Sequence, residues 1–204
     1  MTATLAVVLA YLLGSIPFGY LLVWWKKRID VRSLGSRSTG ATNVMRALGL
    51  AGFVATFLLD ALKGSAAVLA ASRLTAHNPV WISAAAFAAL AGHCYPVWLG
   101  FRGGKGVATA VGVFMTLAPA PMAAALVIFA LLVAVWRYVS LGSIAAAAAF
   151  PALFYAMERP PAALLAGAAA CALLIVVRHR ANIARLLQGT ENRVGAKKTA
   201  APAG

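Results

Sequence analysis

Seven apolar stretches, separated by short basic or Gly/Pro-containing links, leave this chain few folds to choose from. They run over Leu5–Trp25, Ala51–Ala71, Trp81–Leu99, Val107–Ala118, Met122–Trp136, Val139–Met157 and Ala162–Val177. Most approach the roughly 20 residues a helix needs to cross about 30 Å of hydrocarbon. In lipid every backbone polar group must be satisfied within the protein, so such stretches read as helices. The composition agrees: 63% of the 204 residues are hydrophobic and 11% charged, with a mean hydropathy of +0.88. The expected fold is an all-α integral membrane protein of seven transmembrane helices, one domain over residues 1–204.

Charge sets the orientation. The 18 Lys and Arg face four acids, Asp30, Asp60, Glu158 and Glu191. A net charge of +14 could suggest nucleic acid, but these bases flank apolar spans, as the positive-inside rule places them, so no nucleic-acid partner is expected. Seven spans with the N-terminus outside put Lys26, Lys27, Arg28, Arg32, Arg37, Arg46, Arg102, Lys105, Arg137 and the C-terminal bases inside. Only Arg73 and Arg159 then stay outside. Merging the short fourth and fifth stretches around Pro119 and Pro121 would send Arg137 and the tail to the wrong side. The first stretch lacks a basic lead and reads as a retained span, not a cleaved signal. Beyond Arg178 the pattern turns amphipathic, with His179, Asn182, Ile183 and Leu186 on one face. An interfacial helix is expected there, and a disordered tail over 195–204.

Three polar islands fall on the same predicted face: residues 30–49, 92–109 and 178–193. Each mixes Arg or Lys with Gly, Ser, Thr, Asn or His, the donor chemistry that holds phosphate. GFRGGKGVAT sets three glycines around Lys105 ahead of an apolar helix. Such a loop can turn successive backbone N–H groups toward an anion, with a helix N-terminus behind them; a tight re-entry turn would also use glycine. It is no Walker A loop, because Gly106 stands where Ser or Thr should follow the lysine. The first island gathers Ser36, Ser38, Thr39, Thr42, Asn43 and Arg46, more than helix capping requires. Asp60 and Lys63 lie within the second span, where an ion pair marks either function or bundle cohesion. His93 reads as a loop-shaping residue. Cys94 and Cys171 have no partner spacing and read as packing. No His-x4-Asp acyltransferase dyad, nucleophile elbow or carboxylate cluster for a metal is present, and no cofactor is expected.

SIPFGYLL (15–22), GATNVMR (40–46), DALKG (60–64), GHCYPVWLGFRGGKGVAT (92–109) and RHRANIARLLQGTE (178–191) resemble, in order along nearly the whole chain, the bacterial acyl-phosphate:glycerol-3-phosphate acyltransferases of the PlsY type. One departure stands out: the family commonly reads Gly-Asn where this chain has Arg37-Ser38. The resemblance implies a multi-pass bacterial inner-membrane enzyme with its site facing the cytosol. It would move a fatty acyl group from acyl phosphate to the 1-hydroxyl of glycerol 3-phosphate, giving lysophosphatidic acid, the first step of phospholipid synthesis.

The expected catalytic residues are Ser36, Lys105, His179 and Asn182. Arg46, Lys105 and Ser36 are expected to hold glycerol 3-phosphate. The amides of Gly103, Gly104 and Gly106, with Asn182 and His179, are expected to hold the donor phosphate and carbonyl. Asn43, Thr42 and Glu191 complete the substrate-binding set as orienters. Acyl phosphate, glycerol 3-phosphate and membrane lipid are thus the expected partners. The rival reading is a transporter of an organic phosphate, favoured by Asp60–Lys63 and the short fourth and fifth spans. Against it, the islands gather at one face and no repeat relates the two halves. A non-catalytic phosphate-binding module at the lipid surface is a third reading.

Overall fold

The computed structural model describes residues 2–195, and the chain folds as a bundle of nine α-helices among them. They are α1 (Thr2–Gly14), α2 (Phe18–Lys27), α3 (Ala41–Leu74), α4 (Pro79–Cys94), α5 (Val107–Leu117), α6 (Pro119–Trp136), α7 (Val139–Glu158), α8 (Ala162–Arg178) and α9 (Arg180–Leu187). Short 3-10 turns at Val31–Ser33 and Val97–Leu99 punctuate the first two islands. The expected tail lies outside the described residues apart from Gly195.

Several boundaries differ from the hydropathy pattern, each for a local reason. The first expected span is broken at Ser15–Pro17, because Pro17 offers no N–H to continue α1. α3 starts ten residues before Ala51, but Gly49 sits at φ 67°, ψ −161° and kinks it. The polar first turns of α3 are thereby set off from its membrane segment. α6 starts at Pro119, earlier than Met122, since proline suits the first turn of a helix. α5 has 11 residues, about 16 Å of helix, too short for a full crossing by length. Among the described residues, five helical stretches are long and apolar enough to span, six if α8 and α9, bent by 56°, count as one.

Packing follows residue size. α1, α3 and α4 meet through alanines, with Ala6, Ala10, Ala67, Ala71, Ala85 and Ala89 forming one buried cluster. α5–α8 pack around aromatics: Phe114 and Phe150 lie 4.4 Å apart between ring centroids, Phe150 and Phe154 5.7 Å. Close backbone approach needs glycine at two crossings of α3 with α5. A methyl on Gly112 would meet the Ala61 carbonyl, and one on Gly64 the Thr109 carbonyl. Large side chains such as Leu62, Leu131, Val135 and Leu173 stay more than half exposed on the outside. That is the inside-out pattern of a bundle whose solvent is lipid.

Candidate active site

The first island is folded by its own polar groups. Asp30 caps the Val31–Ser33 turn, and Arg32 grips Asp30 while donating to the Leu99 carbonyl at 3.0 Å, which ties the first island to the second. Asn43 is buried in the first turn of α3. Its Nδ2 donates to the carbonyls of Val31 and Ser38, both at 2.8 Å, and its Oδ1 accepts from the Ser36 N–H at 3.1 Å. No island side chain caps α3, whose N-cap position is held by Gly40. Arg46 reaches Asn43 Oδ1 at 3.4 Å, and its guanidinium lies against Gly35, leaving no room for a Cβ there. Arg37 stands at φ 55°, the left-handed region where glycine is free of strain, at the position where the family pattern carries glycine.

The second island hangs from the end of α4. A helix C-terminus leaves carbonyls without intrahelical partners, and here the N–H groups of Gly103 and Gly104 fill them: Gly103 donates to Cys94 at 3.3 Å, Gly104 to His93 at 3.1 Å. This corrects the anion-nest expectation for those two amides, which point into the protein. Gly106, at φ 88°, opens α5. Arg178 clamps the Gly104 carbonyl through Nε and Nη2, at 3.1 and 3.0 Å, and stacks over Tyr95. Lys105 then projects across the gap to donate to Asn182 Oδ1 at 2.6 Å. Burial pushes the Lys105 ammonium down to about 8. Glu191 opposes the shift, while Arg185, Arg178 and Arg46 add to it.

The third island closes the ring. The buried His179 ring donates from Nδ1 to the Ile175 carbonyl at 2.8 Å. A carbonyl only accepts, so the neutral ring leaves Nε2 as its acceptor. Asn182 is buried too, its Nδ2 donating to Glu191 Oε1 at 2.8 Å. Glu191 in turn accepts from Ser140 on α7 at 3.0 Å and from Arg185 at 2.7 Å. The helix expected to lie at the interface therefore turns its His179–Asn182 face into the bundle. The chain after α9 folds back onto the α6–α7 turn, where Val194 and Arg137 exchange two hydrogen bonds of 2.8 and 2.9 Å.

Between the islands lies a polar cavity of about 190 Å³. Of the expected residues, Ser36, Gly103, Lys105 and Asn182 line it. Asn43 and Glu191 stand behind that lining and hold it through the bonds above, with Gly104 and Gly106 flanking Lys105. His179 also lies outside it, its carbonyl accepting the Asn182 N–H at 2.8 Å. Arg46, also expected to bind substrate, lies outside the lining and rests on Asn43 behind it. Thr42 is exposed on α3 and lies outside the lining. Arg37, Ser38, Arg178, Arg180 and Arg185 line the cavity although the expected set left them out. Their position inside the basic islands was the available signal. Ser140 carried none, being one serine among apolar residues. Five cations and no carboxylate in the lining suit an anion with several charges. A separate apolar cavity of about 50 Å³ lies among α5–α8; Val107, two residues after Lys105, and Ile175, which holds His179, both line it.

The family model described as glycerol-3-phosphate acyltransferase matches residues 4–189. The chain belongs to this family. A glycerol-3-phosphate acyltransferase of Syntrophotalea carbinolica is 51% identical over 90% of this chain and 93% of the relative. One from Mesorhizobium japonicum is 46% identical over 95% and 96%. Among solved structures, the glycerol 3-phosphate form of PlsY, an integral membrane glycerol 3-phosphate acyltransferase, superposes with a TM-score of 0.90 at 40% identity, covering 96% of each chain. A lysophosphatidic acid form of PlsY superposes with a TM-score of 0.87. Family membership and the all-helical membrane fold thus agree.

Proposed function

We propose that this chain transfers a fatty acyl group from acyl phosphate to the 1-hydroxyl of glycerol 3-phosphate, releasing lysophosphatidic acid and inorganic phosphate. The observation that carries the reading is a cavity lined by five cations beside an apolar cavity that begins two residues from Lys105. Two phosphorylated substrates, one of them a lipid, need both surfaces together.

In the reaction the hydroxyl oxygen of glycerol 3-phosphate attacks the acyl carbonyl carbon, and the carbonyl carbon–phosphate oxygen bond breaks. Acyl phosphate is a mixed anhydride with a good leaving group, so positioning and charge stabilisation supply most of what is needed. Arg46, Lys105 and Ser36 hold glycerol 3-phosphate, joined by Arg37 at the cavity wall. Asn182 and Arg178 face the donor phosphate and carbonyl; His179, whose free Nε2 only accepts, holds neither and is left to take a hydrogen bond from the attacking hydroxyl. Glu191 sits in an ion pair with Arg185 and acts as an orienter of Asn182. The hydroxyl proton passes to an oxygen of the departing phosphate, which lies beside the attacking group. The seven-crossing arrangement, N-terminus outside and cavity at the cytosolic face of the inner membrane, follows from the charge bias of the loops.

Sealed vesicles separate this reaction from the organic-phosphate transport weighed from the sequence. Proteoliposomes holding the purified protein receive labelled glycerol 3-phosphate with acyl phosphate in the membrane. The account predicts label in the lipid fraction as lysophosphatidic acid. Unmodified label accumulating in the lumen, with none in lipid, would overturn it in favour of transport.

A further inference from the structure

A charged network buried under the cavity is not used by the reaction above. Asp60 and Lys63 sit one turn apart in the membrane segment of α3, paired at 2.7 Å with side chains 2% and 1% exposed. Lys63 also donates to the Ile16 carbonyl at 2.7 Å, in the break between α1 and α2, and its ammonium lies 5.6 Å from the Phe18 ring centroid. His93, in the last turn of α4 and 5% exposed, puts Nδ1 3.6 Å from Asp60 Oδ1. An ion pair so deep is costly to place and loses its compensation when one partner is removed. Its position joins four elements at one point: the α1–α2 break, α3, α4 and, through His93, the glycine loop.

The link to the loop is steric as well as polar. The His93 carbonyl accepts the Gly104 N–H, and the opposite ring edge, at Nε2, lies so close to the Gly104 Cα that no Cβ fits. On its other side the Gly104 carbonyl is held twice by Arg178. Gly104 is thus clamped between His93 and Arg178, and Lys105 is the next residue. We propose that Asp60, Lys63 and His93 are positioning residues that set the seat of Gly104 and so the place of the Lys105 ammonium in the cavity. His93 is the contact through which the other two act. The assignment rests on the cavity being a phosphate site, as proposed above.

Gly104→Ala forces a methyl into the His93 ring. The expected result is at least a tenfold weaker Kd for inorganic phosphate, measured by calorimetry in detergent, and a matching rise in KM for glycerol 3-phosphate with kcat within about threefold. Adding His93→Ala to Gly104→Ala makes room for the methyl, and the double variant should bind phosphate at least threefold more tightly than Gly104→Ala alone. A merely structural histidine would instead give losses that multiply, and that result overturns the proposal. The pair is repeated with His93→Asn, which keeps a polar side chain toward Asp60, so that a folding defect in the alanine series does not decide the outcome. Tight phosphate binding by the unaltered protein without any lysophosphatidic acid would remove the proposed reaction and leave the positioning claim to be judged on Kd.

Discussion

Lys105 is where burial and charge meet most sharply. Its ammonium titrates near 8 because burial disfavours the charged form and three guanidiniums crowd it. Glycerol 3-phosphate is already a dianion above pH 7, a phosphomonoester having its second pKa near 6. The KM for glycerol 3-phosphate should therefore stay flat to about pH 8 and then rise by up to about tenfold per pH unit as the free protein loses this proton. Lys105→Arg, whose guanidinium keeps its charge, should stay flat to about pH 10; the same rise in both proteins would assign the titration elsewhere. The stability sign runs the other way. Between about 8 and about 10.4 the unfolded chain holds a proton that the folded one lacks, so this group's contribution to stability rises with pH in that window.

His179 gives a second residue-level expectation. Its Nδ1–H is fixed on Ile175, so it can orient and accept, but the account gives it no proton to carry. His179→Gln should keep kcat within about a hundredfold, whereas a loss of roughly a thousandfold, within the range credited to a general base, would make the ring the base. Residue types in the islands were legible in the sequence because basic and Gly-rich runs stand out against apolar spans. The direction of the Gly103 and Gly104 amides was not. It depends on the carbonyls of Cys94 and His93, which only the end of α4 brings within reach.

Among the elements, α3 and α5 meet through glycine at Gly64 and Gly112, with Ser65 donating to the Gly112 carbonyl at 2.9 Å. Gly112→Leu should overpack this crossing by about 1–3 kcal/mol, a fall of several degrees in Tm for a bundle of this size. An unchanged Tm in detergent would contradict so close an approach. Small residues pack α4 in the same way, with Ala85, Ala86 and Ala89 buried. The kink at Gly49 gave no signal in the sequence, because a lone glycine in a helical pattern is compatible with a straight helix. The break at Pro17 was legible in principle, yet hydropathy alone runs straight through it.

Across the whole molecule, the all-helical membrane fold follows from hydropathy, with five or six helical stretches among the described residues long enough to span where seven were expected. The islands follow from composition, but their convergence is a product of tertiary ties. Arg32 to Leu99, Lys63 to Ile16, Arg178 to Gly104 and Lys105 to Asn182 join segments 47 to 77 residues apart in sequence, which no local pattern reports. Those ties set one basic cavity beside an apolar one, and acyl phosphate is the donor proposed for that pair of surfaces. Purified protein is given labelled glycerol 3-phosphate with acyl phosphate, acyl-CoA or acyl carrier protein thioester in turn, each with and without a metal chelator. The account predicts lysophosphatidic acid from acyl phosphate alone, undiminished by the chelator. Turnover with acyl-CoA and none with acyl phosphate would contradict it.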